Sequence, residues 1–427
     1  MRIEPALRVS GEVAVRGDKS ISHRAVLLGA LCDGETTIRG FGRSADTEST
    51  IGAVRALRVS VDELDGDTLR VHGVGLRGLR ASHAPIDCGN AGTLARLLTG
   101  ILAGQAEHEF RIVGDNSLSA RPMGRIAEPL VRMGAEVETT DGTLPLAIRG
   151  RPLRGITYEL PVASAQVKSC ILLAGLLAEG DTTVVEPVPT RDHTESLLEL
   201  AGVDVLRSAD RVTVRPAQHL ALGEIEVPGD FSSAAPFVVA AVLLPGSEVV
   251  IRGVNLNPRR TGLLGILGRM GARIDAHDVR DVCGEPAGDL VVPHAPLVAT
   301  EVGVDEVPAS IDELPLFALA AAGASGTSVL SGAAELRAKE SDRIDAVVTG
   351  LRALGVEIEA TPDGFRVHGQ PGRLAGGAME SRGDHRIAML AAVAGLGSRG
   401  GVDIGGADAT AVSFPDFFDV VETLAGR

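Results

Sequence analysis

Six phrases of one plan recur along the 427-residue chain, spaced by roughly 70 residues, and such a period means stacked supersecondary units. They read GDKSISHRAVLLGAL from Gly17, DCGNAGTLARLLTGIL from Asp87 and VASAQVKSCILLAGLL from Val162. PGDFSSAAPFVVAAVL from Pro228, PASIDELPLFALAAAG from Pro308 and SRGDHRIAMLAAVAGL from Ser381 follow. Each is a short polar stretch, then a helix of small apolar residues that stops near Gly. A short strand comes next: TTIRG, HEFRIVG, TTVVEP, EVVIRG, TSVLSG and GVDIGG.

A second phrase lies between the first ones. VRALRVSVDEL, LVRMGAEVETT, LLELAGVDVLR, LGRMGARIDAH and LRALGVEIEAT each read as an amphipathic helix, a stop at a small residue and an alternating strand. A further strand follows, as in DTLRVHG, LPLAIRG and FRVHG. The unit is βαβαββ. The sixth copy ends inside its second helix, FPDFFDVVETLAGR. The alternating stretches Leu7-Arg8-Val9 and Glu12-Val13-Ala14-Val15 are expected to supply its missing strands. This predicts an α/β (α+β) protein of two domains with three units each. Residues 1–17 and 230–427 form one domain, and 18–229 the other. The site is expected in the cleft between them, where ligand sites are common.

Composition narrows the function. Lys+Arg number 41 against 56 Asp+Glu, a net charge of −15. General nucleic-acid binding needs a basic stripe and stacking aromatics, yet aromatics are 2% and Trp is absent. Small-molecule recognition must rest on charge and hydrogen bonds. Cys32, Cys88, Cys170 and Cys283 are far apart and form no disulfide framework. The N-terminus lacks the apolar core of a signal peptide, and no apolar run reaches the ~18 residues that span a bilayer. The expectation is a soluble cytoplasmic monomer without membrane or nucleic-acid partners.

The helix starts carry the chemistry. Helix N-termini present free N–H groups and partial positive charge, which suits anions. Lys19, Ser20 and Arg24 open the first helix; Asn90, Gly92 and Thr93 open the second, with Arg96 one turn on. Ser164, Gln166 and Lys168 open the third, and Asp384, His385 and Arg386 the sixth. Arg121 in SARPM, and Lys339, Glu340 and Arg343 in AKESDR, are further clusters. Singly, each reads as a solvated surface charge, and Asp312 in PASIDELP reads as a helix cap. In one register, Lys19, Arg121, Lys339, Arg343 and Arg386 converge on one cleft. Close cation pairs repel by about 4 kcal/mol at an effective dielectric near 20. A ligand with phosphate and carboxylate groups would relieve that repulsion. Asp312, with Glu313 beside it, and Glu340 are then candidate acid–base groups.

Other motifs fail. Gly73–Gly78 fits GxGxxG, but no apolar helix follows. There is no GxxxxGK[ST], no HExxH, no Cys/His zinc spacing and no GxSxG.

GDKSISHRA, GNAGT, SARPM, SAQVKS, PGDFSSA, AKESDR, GDHRIAM and TAVSFPDFF, in this order, resemble the 5-enolpyruvylshikimate-3-phosphate synthase family from end to end. The resemblance implies a two-domain enolpyruvyl-transferase fold, three βαβαββ units about a pseudo-threefold axis in each domain. It implies transfer of the enolpyruvyl group of phosphoenolpyruvate to the 5-hydroxyl of shikimate 3-phosphate in aromatic amino-acid (chorismate) biosynthesis, without a cofactor. By resemblance, Lys19, Ser20, Arg24, Ser164, Ala165, Gln166, Asp312 and Lys339 hold shikimate 3-phosphate. Lys19, Asn90, Gly92, Arg121, Gln166, Arg343 and Arg386 hold phosphoenolpyruvate. Asp312, Glu340 and Lys19 are catalytic.

One departure is Val412, where many relatives carry Lys before the terminal FPD stretch. Two alternatives share the fold. An enolpyruvyl transferase acting on UDP-N-acetylglucosamine would carry a Cys where this chain has Asn116. A non-catalytic phosphate-sugar sensor would have no need of Asp312 and Glu340.

Overall fold

Every repeat phrase becomes an inner helix that is buried on almost all sides. The six are Lys19–Leu31, Gly92–Ala103, Ala165–Gly175, Phe231–Leu243, Leu314–Ala322 and His385–Leu396. A helix apolar all round has no face for water, so it must be enclosed by other elements. The computed structural model describes residues 1–81 and 84–427.

The chain divides into two units. Unit 1 comprises Met1–Arg16, Pro228–Asp281 and Pro286–Arg427; unit 2 comprises Gly17–Val227 and Val282–Glu285. Each has its own apolar core. In unit 1 the inner helices from Phe231, Leu314 and His385 pack against one another. In unit 2 the helix from Gly92 packs on those from Lys19 and Ala165.

The sheets repeat one pattern. In unit 2, Glu224–Glu226 pairs parallel with Asp33–Arg39, which pairs antiparallel with Thr68–Val74, with Ser60–Asp65 outermost. Ile86–Asp87, Glu109–Val113, Thr143–Arg149 and Glu136–Thr140 repeat that order, as do Thr157–Glu159, Thr182–Val185, Arg211–Val214 and Val205–Arg207. Unit 1 repeats it with Glu301–Val302, Gly326–Leu330, Gly364–Gly369 and Glu357–Thr361. In the last three of these sheets an inner helix links the two parallel strands, in the first the parallel strand comes from a distant part of the chain, and in all four the outer two strands form a hairpin. The βαβαββ reading therefore describes the chain.

The closure of the sixth unit differs from expectation. Arg2–Ile3, not Leu7–Val9, pairs antiparallel with Val402–Gly405, and Gly377–Glu380 completes that three-stranded sheet. Ser10–Ala14 instead pairs parallel with Glu248–Asn255 and gives the fourth unit its first strand. In the same way Glu224–Glu226 gives the first unit its first strand. Alternation shows that a segment suits a sheet but says nothing of which distant strand receives it.

Close backbone approach explains one glycine pair. A Cβ on Gly17 would lie 1.8 Å from the Gly40 carbonyl oxygen, and one on Gly42 would lie 2.0 Å from the Gly17 carbonyl oxygen. The backbone just before Lys19 is thereby pressed against a neighbouring loop, which fixes where the helix begins.

Candidate active site

In unit 1 the sixth-repeat helix is capped by Asp384, whose Oδ1 accepts the Arg386 N–H. The same carboxylate accepts from Arg343 Nε at 2.8 Å and from the Ser341 hydroxyl at 3.1 Å. Arg343 opens the helix Arg343–Ala353, and its side chain is 1% exposed. It also donates to Glu340 Oε2 at 2.6 Å and to Asp312 Oδ1 at 3.2 Å. Burial alone would pull this guanidinium down. Asp384, Glu340 and Asp312 outweigh it and hold it above its ordinary range.

The solvated-surface reading of AKESDR is therefore wrong for Arg343. The cap reading of Asp312 also fails. The helix begins at Leu314, with Glu313 at the cap position and no side-chain cap bond. Asp312 lies one residue earlier and faces Arg343 and Arg386.

Arg386 is held differently from Arg343. Its Nη2 is 3.7 Å from Asp312 Oδ2, and its Nη1 is 3.7 Å from Glu313 Oε1. Both distances exceed a hydrogen bond. Among the described residues no hydrogen bond reaches this guanidinium, although its side chain is only 11% exposed and Nε is buried. A nearly buried fork with open donors is suited to a planar anion. Glu313 is itself anchored: it accepts from the Ser232 hydroxyl and, at 3.0 Å, from Arg260 Nη1. Arg260 also reaches Asp230 at 3.1 Å. Lys339 lies half-buried beside Glu340.

In unit 2, Lys19 Nζ lies 2.8 Å from Asp46 Oδ2. Arg24 is buried and donates to Thr194 Oγ1 at 2.7 Å, Ser169 Oγ at 3.0 Å and the Ser20 carbonyl at 2.9 Å. No described carboxylate forms an ion pair with it. Desolvation pulls it down to about 10, which an anionic ligand would reverse. Arg121 donates to Asn90 Oδ1 at 2.6 Å and to Ser117 Oγ at 3.1 Å. Gln166 accepts from Arg96 at 2.6 Å and donates to Thr93 Oγ1 at 3.0 Å. Gly92 lies among these groups: a Cβ there would sit 2.8 Å from Arg96 Nη1 and 3.2 Å from Arg121 Nη1. Ser164 caps its helix by accepting the Val167 N–H, and Ala165 is the first helical residue. Lys168, by contrast, is fully buried against Glu186 at 3.0 Å and Glu195 at 2.7 Å.

The expected residues thus form two groups. Asp312, Lys339, Glu340, Arg343 and Arg386 belong to unit 1; Lys19, Ser20, Arg24, Asn90, Gly92, Arg121, Ser164, Ala165 and Gln166 belong to unit 2. Cation repulsion, used above to infer a ligand, is corrected by the carboxylates. Asp230, Asp312, Glu313, Glu340 and Asp384, five acids, face Arg260, Arg343 and Arg386. The case for an anion rests instead on the open donors of Arg386 and the desolvated Arg24. Two partners escaped the sequence reading. Asp46 stands in the first turn of Ala45–Ala56, where an acid reads as dipole compensation, and Arg260 lies outside every helix-start phrase. Val412 ends a 3-10 turn, Ala407–Val412. Among the described residues no group of three or more His, Cys, Asp or Glu could hold a metal ion, and no helix is long and apolar enough to cross a membrane.

Comparison with known proteins identifies the family. The family profile described as EPSP synthase (3-phosphoshikimate 1-carboxyvinyltransferase) matches residues 3–421. A 3-phosphoshikimate 1-carboxyvinyltransferase of Acidithiobacillus ferrooxidans is 51% identical over 97% of this chain and 95% of its own length. One of Geobacter metallireducens is 48% identical over 100% of this chain and 99% of its own. The solved EPSP synthase of Acinetobacter baumannii superposes with a TM-score of 0.87 at 43% identity, covering 99% of this chain and 97% of that one. The enolpyruvyl transferase NikO of Streptomyces tendae has a TM-score of 0.79 at 20% identity over 99% and 96% of the two chains, and so shares the fold. With a profile match across almost its whole length and relatives near half identical, the chain belongs to the EPSP synthase family.

Proposed function

We propose that this chain transfers the enolpyruvyl group of phosphoenolpyruvate to the 5-hydroxyl of shikimate 3-phosphate and releases phosphate. The observation that carries the reading is Arg386, a nearly buried fork with open donors beside the carboxylate of Asp312. An anion-binding arginine next to a candidate base is what addition of a hydroxyl to an anionic enol requires. Lys19, Asn90, Gly92, Arg121, Gln166, Arg343 and Arg386 hold phosphoenolpyruvate. Lys19, Ser20, Arg24, Ser164, Ala165, Gln166, Asp312 and Lys339 hold shikimate 3-phosphate.

The chemistry balances without a cofactor. A proton, delivered with the help of Glu340 and Lys19, adds to the methylene carbon of phosphoenolpyruvate. The 5-hydroxyl oxygen bonds to the adjacent carbon while Asp312 takes its proton. The tetrahedral adduct then breaks its carbon–oxygen bond to phosphate, and the new methyl group loses a proton to restore the double bond. Cations neutralise the two anions so that the reacting atoms can meet. The reading has the enzyme working as a cytoplasmic monomer in aromatic amino-acid biosynthesis. UDP-N-acetylglucosamine as acceptor is disfavoured by Asn116, which stands where that reaction's Cys would be.

The methyl stage gives a direct test. In deuterated water the adduct gains deuterium, and loss of a methyl proton leaves deuterium in the product's methylene group. Proton NMR should show a new vinyl ether with diminished methylene signals. A vinyl ether with full methylene intensity would rule out the addition–elimination route, and no vinyl ether at all would rule out the activity.

A further inference from the structure

Arg386 can meet a ligand only if it does not collapse onto the base beside it. Asp312 lies 3.7 Å away, and at that separation a flexible guanidinium would be expected to close to a hydrogen bond. Glu313, on the adjoining residue, lies 3.7 Å from the other Nη. It is 0% exposed, and only one of its oxygens is used: Oε1 accepts from Ser232 and Arg260, whereas Oε2 is buried with no hydrogen bond. Arg260 is 2% exposed and is pinned from its other side by Asp230. Glu313 therefore cannot swing towards Arg386 without leaving Arg260 and Ser232. It acts on Arg386 at fixed range.

We propose that Glu313 is a positioning residue: by its fixed charge it draws Arg386 away from Asp312, keeping the guanidinium fork open for an anionic group of phosphoenolpyruvate and the Asp312 carboxylate open for the hydroxyl proton. Glu313 touches neither substrate. The Asp230–Arg260–Ser232 frame holds Glu313, and Glu313 holds Arg386. The inference rests on the assignment of Arg386 to phosphoenolpyruvate.

The test is steady-state kinetics of Glu313→Gln, which keeps size and an acceptor oxygen but removes the charge, with Arg386→Ala beside it. KM for phosphoenolpyruvate should rise about ten-fold or more in Glu313→Gln, the order expected of a misplaced binding group. Calorimetric affinity for shikimate 3-phosphate alone should stay within two-fold. Removing one partner of a buried pair also destabilises the fold. The triple variant Glu313→Gln with Arg260→Met and Asp230→Asn removes Arg260 together with both of its acidic partners, keeps an acceptor at the Asp230 helix cap, and should recover thermal stability while keeping the phosphoenolpyruvate defect. Recovery of KM together with stability would reduce Glu313 to a structural role and overturn the proposal. If Arg386→Ala raises KM for phosphoenolpyruvate and Glu313→Gln does not, the proposal fails and the site reading stands. If neither variant changes it, both fail.

Discussion

His23 shows how closely the helix start of the first repeat is packed. It is 0% exposed, its Nδ1 lies 2.6 Å from the Thr50 hydroxyl, and Nε2 has no partner among the described residues. Burial, with Lys19 and Arg24 nearby, holds it well below the usual histidine range. The folded chain therefore stays neutral there while the unfolded chain takes a proton once pH falls below about 6.5. Stability falls with falling pH in that window, because the unfolded state binds more protons. His23 should account for at most about 2 kcal/mol of lost stability between pH 7 and pH 5, the limit set by protonation of the unfolded chain. Urea unfolding of wild type and His23→Gln at both pH values checks this: the variant should lack that part of the acid loss, and equal losses would contradict the assignment. The site residues were legible at this scale only where they followed the repeat register. Lys19, Gln166 and Arg386 stand at helix starts. Asp46, Arg260 and the role of Glu313 were not legible, because a carboxylate in a first turn looks the same whether it faces water or an ammonium group.

Among the elements, the outer helices repeat a terminus. Gly134, Gly202, Gly271 and Gly355 follow their helices with φ of 107°, 86°, 107° and 90°. The corresponding residue of the first repeat is Arg58, with φ of 71°, a left-handed conformation that glycine adopts without a Cβ penalty. Its side chain is exposed. Arg58→Gly should stabilise unit 2 by about 0.5–1 kcal/mol, the left-handed cost less the added freedom of the unfolded chain. A higher thermal midpoint would support this, and a lower one would show that the Arg58 side chain contributes more than its backbone costs. Element order was legible because helix and strand periods differ and each terminus carries its own signal. Strand partners were less so. Ser10–Ala14 alternates well enough for any of several sheets, and only the folded chain shows that it joins Glu248–Asn255.

For the whole molecule, the net charge of −15 does not describe the site. The acids include internal partners of the arginines, and anion binding depends on which donors those partners leave open. Six copies of one unit supply six buried helices whose starts differ, and those differences carry the chemistry. The most direct test is phosphate release from phosphoenolpyruvate by the 427-residue chain. Release is expected with shikimate 3-phosphate and not with UDP-N-acetylglucosamine or without an acceptor. Release with UDP-N-acetylglucosamine, or none with shikimate 3-phosphate, would contradict the account.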